Sequence, residues 1–205
     1  MFTKEIEELY LFQAKEKLLR RFSVVKQDRK SVVLYVFDNF KWILMPDYHQ
    51  DIKEEDVELY TKRDDTRIMF INKNNFDNIE HERICRKLTE EDRYKFEVFH
   101  KACPNSDKQQ GMVSLSDPVV YGCFVDGKIV SVASLWNWGD TLSDLGILTH
   151  PDYRGKGYGL SVCQTLIKVT NRLYIWRCDV KNEASFSLAK RIGFIETGTI
   201  YCLEK

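Results

Sequence analysis

No two of the six cysteines, Cys85, Cys103, Cys123, Cys163, Cys178 and Cys202, stand close enough in sequence to make a CxxC zinc or redox motif. Six in 205 residues is also too thin for a disulfide scaffold. The reading that follows is reduced, mostly buried thiols in an intracellular protein. No apolar run reaches the roughly 18 residues a transmembrane helix needs. The first residues, Met1-Phe2-Thr3-Lys4-Glu5-Ile6-Glu7-Glu8, carry charge where a secretory signal is apolar. The expected location is therefore cytoplasmic, with no membrane partner. Neither sign of charge is in excess, since 31 Lys and Arg balance 31 Asp and Glu. A protein built to coat nucleic acid is usually basic, so no nucleic-acid partner is expected. Only 4 prolines and 10 glycines occur, without low-complexity tracts, repeats or Gly/Ser linkers, which excludes collagen-like and disordered chains. What remains is a globular composition, 43% hydrophobic and 30% charged, long enough to bury a core.

Residues 1–22 carry Ile6, Leu9, Tyr10, Leu18, Leu19 and Phe22 among Glu, Lys and Arg, a broken stripe that predicts an amphipathic helix. Residues 31–37 (SVVLYVF) predict a strand, and 41–45 (KWILM) its partner after a turn at Asp38-Asn39-Phe40. A short helix is expected over 54–61 and a strand over 67–72. The polar, irregular stretch 76–80 sets a boundary between an N-terminal α/β extension, residues 1–80, and a main domain, residues 81–205. In the latter, 81–88 predicts a strand. Thr89, followed three residues later by Asp92, is close to a capping box and opens a helix that runs to about Cys103, where Pro104 stops it. A loop is expected from there to Asp117-Pro118. Residues 119–125 and 128–135 flank Asp126-Gly127, the signature of a type I′ hairpin. A turn at Asn137, Gly139 and Asp140 leads to a strand over 142–149, a helix over 156–171 and a strand over 173–180. A helix over 182–192 follows, stopped by Gly193, and then one or two last strands over 195–203. This order predicts an α/β (α+β) fold with a mixed, mainly antiparallel sheet flanked by helices.

Glycines, scarce elsewhere, crowd into His150-Pro151-Asp152-Tyr153-Arg154-Gly155-Lys156-Gly157-Tyr158-Gly159. Here a strand ends and a helix begins. Such glycines let the backbone curl so that several N–H groups point at one place beside the positive end of a helix, a site suited to a pyrophosphate. Arg154 and Lys156 add charge. A P-loop is excluded because Gly157 follows Lys156 where Ser or Thr is required, and a dinucleotide fingerprint because the spacing is GxGxG. The bland alternative is an ordinary strand-to-helix turn.

The Arg-Gly-x-Gly-x-Gly pattern resembles the coenzyme A loop of the GNAT acyltransferase superfamily. Downstream, the segment from Asn182 through Ser185 and Leu188 to Gly193-Phe194 resembles the family's Asn-x-x-Ser/Ala…Leu…Gly-Phe helix. The resemblance covers roughly residues 81–205; residues 1–80 then read as an extension or a degenerate GNAT-like half. It implies acyl-CoA lying between two splayed strands, 142–149 and 173–180. The backbone of Ile147, Leu148 and Thr149 would pair with the pantetheine, and a backbone N–H near Leu148 would act as oxyanion donor. Amides of Arg154, Gly155, Lys156, Gly157, Tyr158 and Gly159 would hold the pyrophosphate. Asn182 and Ser185 would lie near the pantetheine or the outer phosphate, although a helix cap and a solvent-facing residue are their bland readings. Acetyl-CoA is then a co-substrate, the partner is a small-molecule or protein amine, and no metal is required. Because many members dimerise, a homodimer is a further expectation.

The acid and base are less plainly written. Many members place Tyr directly after the Leu of the second motif, where this chain has Ala189. Tyr201, on the last strand, is the substitute acid. For the base, the best-matched position is Ser143, which serves poorly. Adjacent Asp144 is the candidate, although strand alternation sends it to the other face unless a bulge intervenes. Asp179 is second, with a turn role as its alternative, and His150 suits capping the Pro turn. Trp136, Trp138 and Tyr121 either wall the acceptor pocket or pack the core. Arg20, Arg21, Lys26, Arg29 and Lys30 read as a solvated face. The expected function is N-acetyl transfer from acetyl-CoA to a primary amine by direct attack in a ternary complex. The alternative is a non-catalytic acyl-CoA-binding or regulatory module whose task is carried by residues 1–80.

Overall fold

The computed structural model describes residues 22–27, 30–37, 40–50, 52–71, 84–138, 142–170 and 172–205. Outside them lie residues 1–21 of the helix expected over 1–22, the boundary stretch 76–80, and parts of the turns at 38–39 and 139–140. The chain divides into two compact units, one of Met1–Phe70, Arg177–Glu183 and Ile195–Lys205, the other of Ile71–Trp176 and Ala184–Phe194.

The first unit is built on β1 (Phe22–Gln27), β2 (Val32–Phe37), β3 (Phe40–Pro46), β4 (Thr61–Ile71) and β10 (Ile195–Glu204). β2 and β3 make the expected antiparallel pair, closing with Phe37 opposite Phe40. β1 runs parallel to β3 from Phe22 opposite Lys41 to Gln27 opposite Pro46, so Phe22 opens a strand instead of closing a helix. β10 is one strand, antiparallel to both β2 and β4, and it takes up register shifts between Glu196 and Gly198 and between Ile200 and Cys202. The helix expected over 54–61 is a 3-10 helix, Glu54–Leu59, which lends Val57 to a core of Leu34, Ile43, Met45 and Leu203.

The second unit contains β5 (Cys85–Lys87), α1 (Arg93–Ala102), α2 (Asn105–Gly111), β6 (Val119–Val125), β7 (Lys128–Trp138), β8 (Leu142–Thr149), α3 (Tyr158–Val169) and most of β9 (Leu173–Asp179) and α4 (Glu183–Ile192). Its strands lie in the order β9-β8-β7-β6-β5, antiparallel except for β8 with β9. This is the mixed, mainly antiparallel sheet flanked by helices that the sequence predicts. The hairpin between β6 and β7 is built on Asp126 (φ 48°) and Gly127 (φ 73°), the two left-handed residues a type I′ turn demands. α1 buries Phe96 and Phe99 against Val120, Val132 and Leu148. Among the described residues no helix is long and apolar enough to cross a membrane.

Two expectations are corrected. The segment from Pro104 to Pro118 is not all loop: Asn105–Gly111 form α2, for which Pro104 is the N-cap, and only the residues after it run without helix or strand. Its sequence, NSDKQQG, has no apolar stripe, and so carries no periodic signal. Nor are all the cysteines reduced: Cys85 and Cys123 are joined by a disulfide, while Cys103, Cys163 and Cys178 are free and buried. The β5–β6 register sets Cys85 directly opposite Cys123 across an antiparallel pair, a proximity that their separation of 38 residues hides.

The capping box at α1 has an electrostatic consequence. The Asp92 side chain, 5% exposed, accepts two hydrogen bonds of 2.7 Å from the Arg86 guanidinium and one of 3.1 Å from the Thr89 N–H. The guanidinium, against the opposing pull of burial, holds this carboxyl at about 2, below its ordinary 3.8. A carboxyl depressed in the fold stabilises it above the unfolded value, and that contribution fades as pH falls from about 4 through about 2. With Arg86 half in water, we expect the pair to contribute roughly 1 kcal/mol. Asp92→Asn should lower the melting temperature at pH 7 and flatten its decline between pH 4 and 2, as read by calorimetry; identical acid profiles would refute this.

Candidate active site

β8 is the centre of the site. Its parallel ladder with β9 joins Leu142, Ser143 and Asp144 to Leu173, Tyr174 and Ile175 and stops there, leaving Leu145 and Trp176, the next residues of the two strands, outside it. Strands that part in this way offer backbone N–H and C=O groups to an extended ligand. The register of β8 with β7 is continuous from Trp138–Leu142 to Ser131–Thr149, so no bulge interrupts the alternation of side chains. Leu148 packs with Phe96 and Phe99, which puts Asp144, Gly146 and Leu148 on the α1 side. Ile147 and Thr149 face α3: a Cβ on Gly159 would stand 3.2 Å from the Ile147 Cδ1 and the Thr149 Oγ1, and 3.5 Å from Leu188 of α4. The expected pantetheine strand, the glycine turn and the second motif's leucine therefore converge at the end of β8.

The turn itself follows from its sequence. Residues Pro151–Tyr153 form a 3-10 turn, capped by His150, whose Nδ1 accepts from the Asp152 N–H at 3.3 Å. Gly155 (φ 69°) and Gly157 (φ 82°) then take the left-handed conformation that curls the chain into α3. The Gly157 carbonyl accepts the first bond of α3, from the Ser161 N–H at 3.0 Å, so the amides of the opening turn have no acceptor within the helix. Lys156 folds back, donating to the Asp152 carbonyl at 2.7 Å and standing 5.4 Å from the centroid of the Tyr153 ring. Arg154 forms an ion pair with Asp107 of α2, and its Nε donates to the Thr149 carbonyl at 3.4 Å. Both cations of the motif thus brace the turn; the Arg154 N–H, expected to face the pyrophosphate, instead donates to the Pro151 carbonyl at 3.2 Å, so the N–H row at the positive end of α3 begins after it.

α2 crosses β8 at a pair of glycines. A Cβ on Gly111 would lie 2.3 Å from the Ile147 carbonyl oxygen, and one on Gly146 would lie 2.5 Å from the Gly111 carbonyl oxygen. The sequence reading missed Gly111, Gly146 and Asp107; the isolated glycine within a strand pattern was the available signal. Close by, burial pushes the Cys103 thiol up to about 11 against the pull of Arg154, so it stays protonated and inert as a nucleophile.

Other expected residues have these places. Ser143, buried, donates to the Asn137 Oδ1 at 2.8 Å and accepts from the Arg172 guanidinium, which also donates to the Leu142 carbonyl at 3.0 Å. Asp144 is partly exposed on the α1 side, opposite Trp136 of β7; with no bulge in β8 it stays on the face opposite Ser143, so the turn toward the Ser143 face that its role as base was expected to need does not occur. The Ser185 Oγ accepts from the buried Trp176 Nε1 at 2.9 Å. Asp179 holds the turn before α4: its Oδ1 accepts from the Lys181 N–H at 2.7 Å and its carbonyl from the Asn182 N–H at 2.9 Å. Tyr201 lies on β10 of the first unit, opposite Leu34, with the Lys62 ammonium 5.8 Å from its ring centroid. Ala189 is fully buried. Among the described residues no group of three or more His, Cys, Asp or Glu could hold a metal ion.

The sequence pattern of the acetyltransferase (GNAT) family matches residues 81–194, more than half of the chain, and the protein belongs to that family. A comparison with curated proteins returns no match. Among solved structures, a GNAT-family acetyltransferase from Colwellia psychrerythraea is similar with a TM-score of 0.56 and 16% identity, over 71% of this chain and 57% of that one. A GNAT-family chain from Novosphingobium aromaticivorans gives 0.55 and 16% over 71% and 67%, and a GCN5-related N-acetyltransferase from Kribbella flavida gives 0.52 and 15% over 70% and 59%. At these identities the likeness establishes the fold. The family and fold support acyl transfer, for which acetyl-CoA is the family's general co-substrate.

Proposed function

We propose that this protein is an N-acetyltransferase that moves the acetyl group of acetyl-CoA to a primary amine by direct attack in a ternary complex, with residues 81–205 as the acyltransferase domain. The observation that carries the reading is the parting of β8 from β9 just beyond Asp144, on the same strand that leads into the glycine turn and α3. The residues present fit the co-substrate. The positive-φ glycines open the N–H row to a pyrophosphate, and Ile147 to Thr149 offer main-chain groups to an amide-bearing arm. When bound, acetyl-CoA supplies the activated acetyl carbon and the thiolate leaving group. The backbone N–H near Leu148 is the oxyanion donor. Asp144, at the apex of the split, takes the proton of the incoming ammonium and frees its lone pair. With Ala189 at the usual tyrosine position, the thiolate is protonated from solvent.

The buried Ala189 also favours a second reading, a module that binds acyl-CoA without turning it over. One experiment separates the two. Acetyl-CoA and desulfo-CoA should each raise the melting temperature, since a ligand bound only by the native state stabilises it. A panel of amines should then release CoA thiol. Stabilisation without thiol release would favour the module, and no stabilisation at millimolar ligand would remove both.

A further inference from the structure

We propose that the Thr149 side chain is a further coenzyme A-binding group: its hydroxyl donates to a pyrophosphate oxygen, and Ser131 is the positioning residue that turns its proton toward the ligand. This deepens the acetyl-transfer reading and rests on it. It concerns the side chain of Thr149, not the main-chain groups that the pantetheine would pair with.

Ser131 of β7 and Thr149 of β8 are direct partners in the antiparallel register, so their side chains leave the sheet on one face, the face that α3 covers. Their hydroxyl oxygens are 2.8 Å apart. Ser131 is fully buried, whereas Thr149, the last residue of β8, is partly exposed. A Cβ on Gly159 would stand 3.2 Å from the Thr149 Oγ1. Gly159 is the second residue of α3, and its N–H belongs to the opening turn, whose amides have no acceptor within the helix. The Thr149 hydroxyl thus stands beside the N–H row, with Ser131 behind it.

The protons decide what that hydroxyl offers. Each of the two has one to give. Ser131 has two acceptors in reach, the Leu148 carbonyl at 3.3 Å and the Thr149 Oγ1 at 2.8 Å. If Ser131 donates to the carbonyl, Thr149 donates to Ser131 and turns a lone pair toward the row. If Ser131 donates to Thr149, the Thr149 proton is left for a third group. Among the described residues Ser131 is the one hydrogen-bond partner of that hydroxyl, so the third group is a ligand. An anion on the N–H row selects the second setting. The chain then runs from the Ser131 O–H to the Thr149 Oγ1, and from the Thr149 O–H to a phosphate oxygen, each bond polarising the next. The direction of the side chain favours the phosphates over the pantetheine. Main-chain groups of Thr149 lie in the plane of the sheet, where the strands part, while its side chain stands out of that plane toward the start of α3. Packing against Gly159 alone asks only for a small β-branched side chain, which valine would supply equally well.

Thr149→Val therefore isolates the hydroxyl. Ser131 keeps the Leu148 carbonyl as its acceptor in this variant, so no buried group loses its partner. Calorimetric titration should show desulfo-CoA bound about tenfold more weakly, the scale of a lost hydrogen bond to a charged group. The same loss should appear with 3′-phospho-ADP, the part of coenzyme A that lacks the pantetheine. Thr149→Ala should repeat both losses, and Thr149→Ser should keep most of the affinity. Ser131→Ala should weaken both ligands about threefold. Its combination with Thr149→Val should be no worse than Thr149→Val alone, because Ser131 acts only through that hydroxyl. Unchanged affinities in Thr149→Val and Thr149→Ala would overturn the proposal. So would a loss confined to desulfo-CoA, which would assign the hydroxyl to the pantetheine, and additive losses in the double variant would remove Ser131 from its role. Failure of the parent reading has a different signature, since desulfo-CoA would then leave the wild-type melting temperature unmoved.

Discussion

Gly146→Ala should unfold well below the wild-type protein, although it adds a single methyl group. The new Cβ would stand 2.5 Å from the Gly111 carbonyl oxygen, and that atom belongs to a helix backbone, which cannot turn aside as a side chain can. α2 must lift from β8, at a cost of about 1–3 kcal/mol. For a chain of this size that is roughly 2–12 °C in melting temperature. Gly111→Ala meets the Ile147 carbonyl oxygen at 2.3 Å from the other side of the same crossing. Because one displacement of α2 relieves both clashes, the double variant should lose less than the sum of the single losses. The effect should reach the cofactor as well, because α2 carries Asp107 and through it the position of Arg154. A Gly146→Ala protein with wild-type melting temperature would show that α2 does not press on β8.

What could be read in advance was what the local chain demands of its own backbone. Asp126-Gly127 is legible because only a few residue types accept two consecutive left-handed conformations, and Gly155 and Gly157 are legible for the same reason. The alternation of β8 was legible too, and with it the placement of Asp144 away from Ser143. The features that escaped depend on partners distant in sequence. α2 is six polar residues and a glycine, held by a glycine contact with β8 and an ion pair to Arg154, and neither is visible in NSDKQQG. The Cys85–Cys123 bond depends on the register of β5 with β6. Ser185 is a case of two roles in one residue: the motif that suggests a ligand also supplies the acceptor for the Trp176 indole, which no spacing rule foretells.

Asp144→Asn should reduce kcat by about 10²–10⁴, the range for losing a positioned general base. The substitution keeps the shape of the side chain and the register with Trp136, so desulfo-CoA should still raise the melting temperature and the acceptor's affinity should fall far less than kcat. The pH profile carries the decisive difference. A primary amine with a pKa near 10.4 is almost wholly protonated at neutral pH, and without a base only its small neutral fraction can attack. The rate of Asp144→Asn should therefore climb about tenfold per pH unit between pH 6 and 9 and close on the wild type at the alkaline end. The wild-type rate should change much less over the same range, because its carboxylate removes the proton within the complex. Parallel profiles with kcat within a factor of two would remove Asp144 from the proton path. The acceptor's proton would then have to leave by water through the gap between β8 and β9.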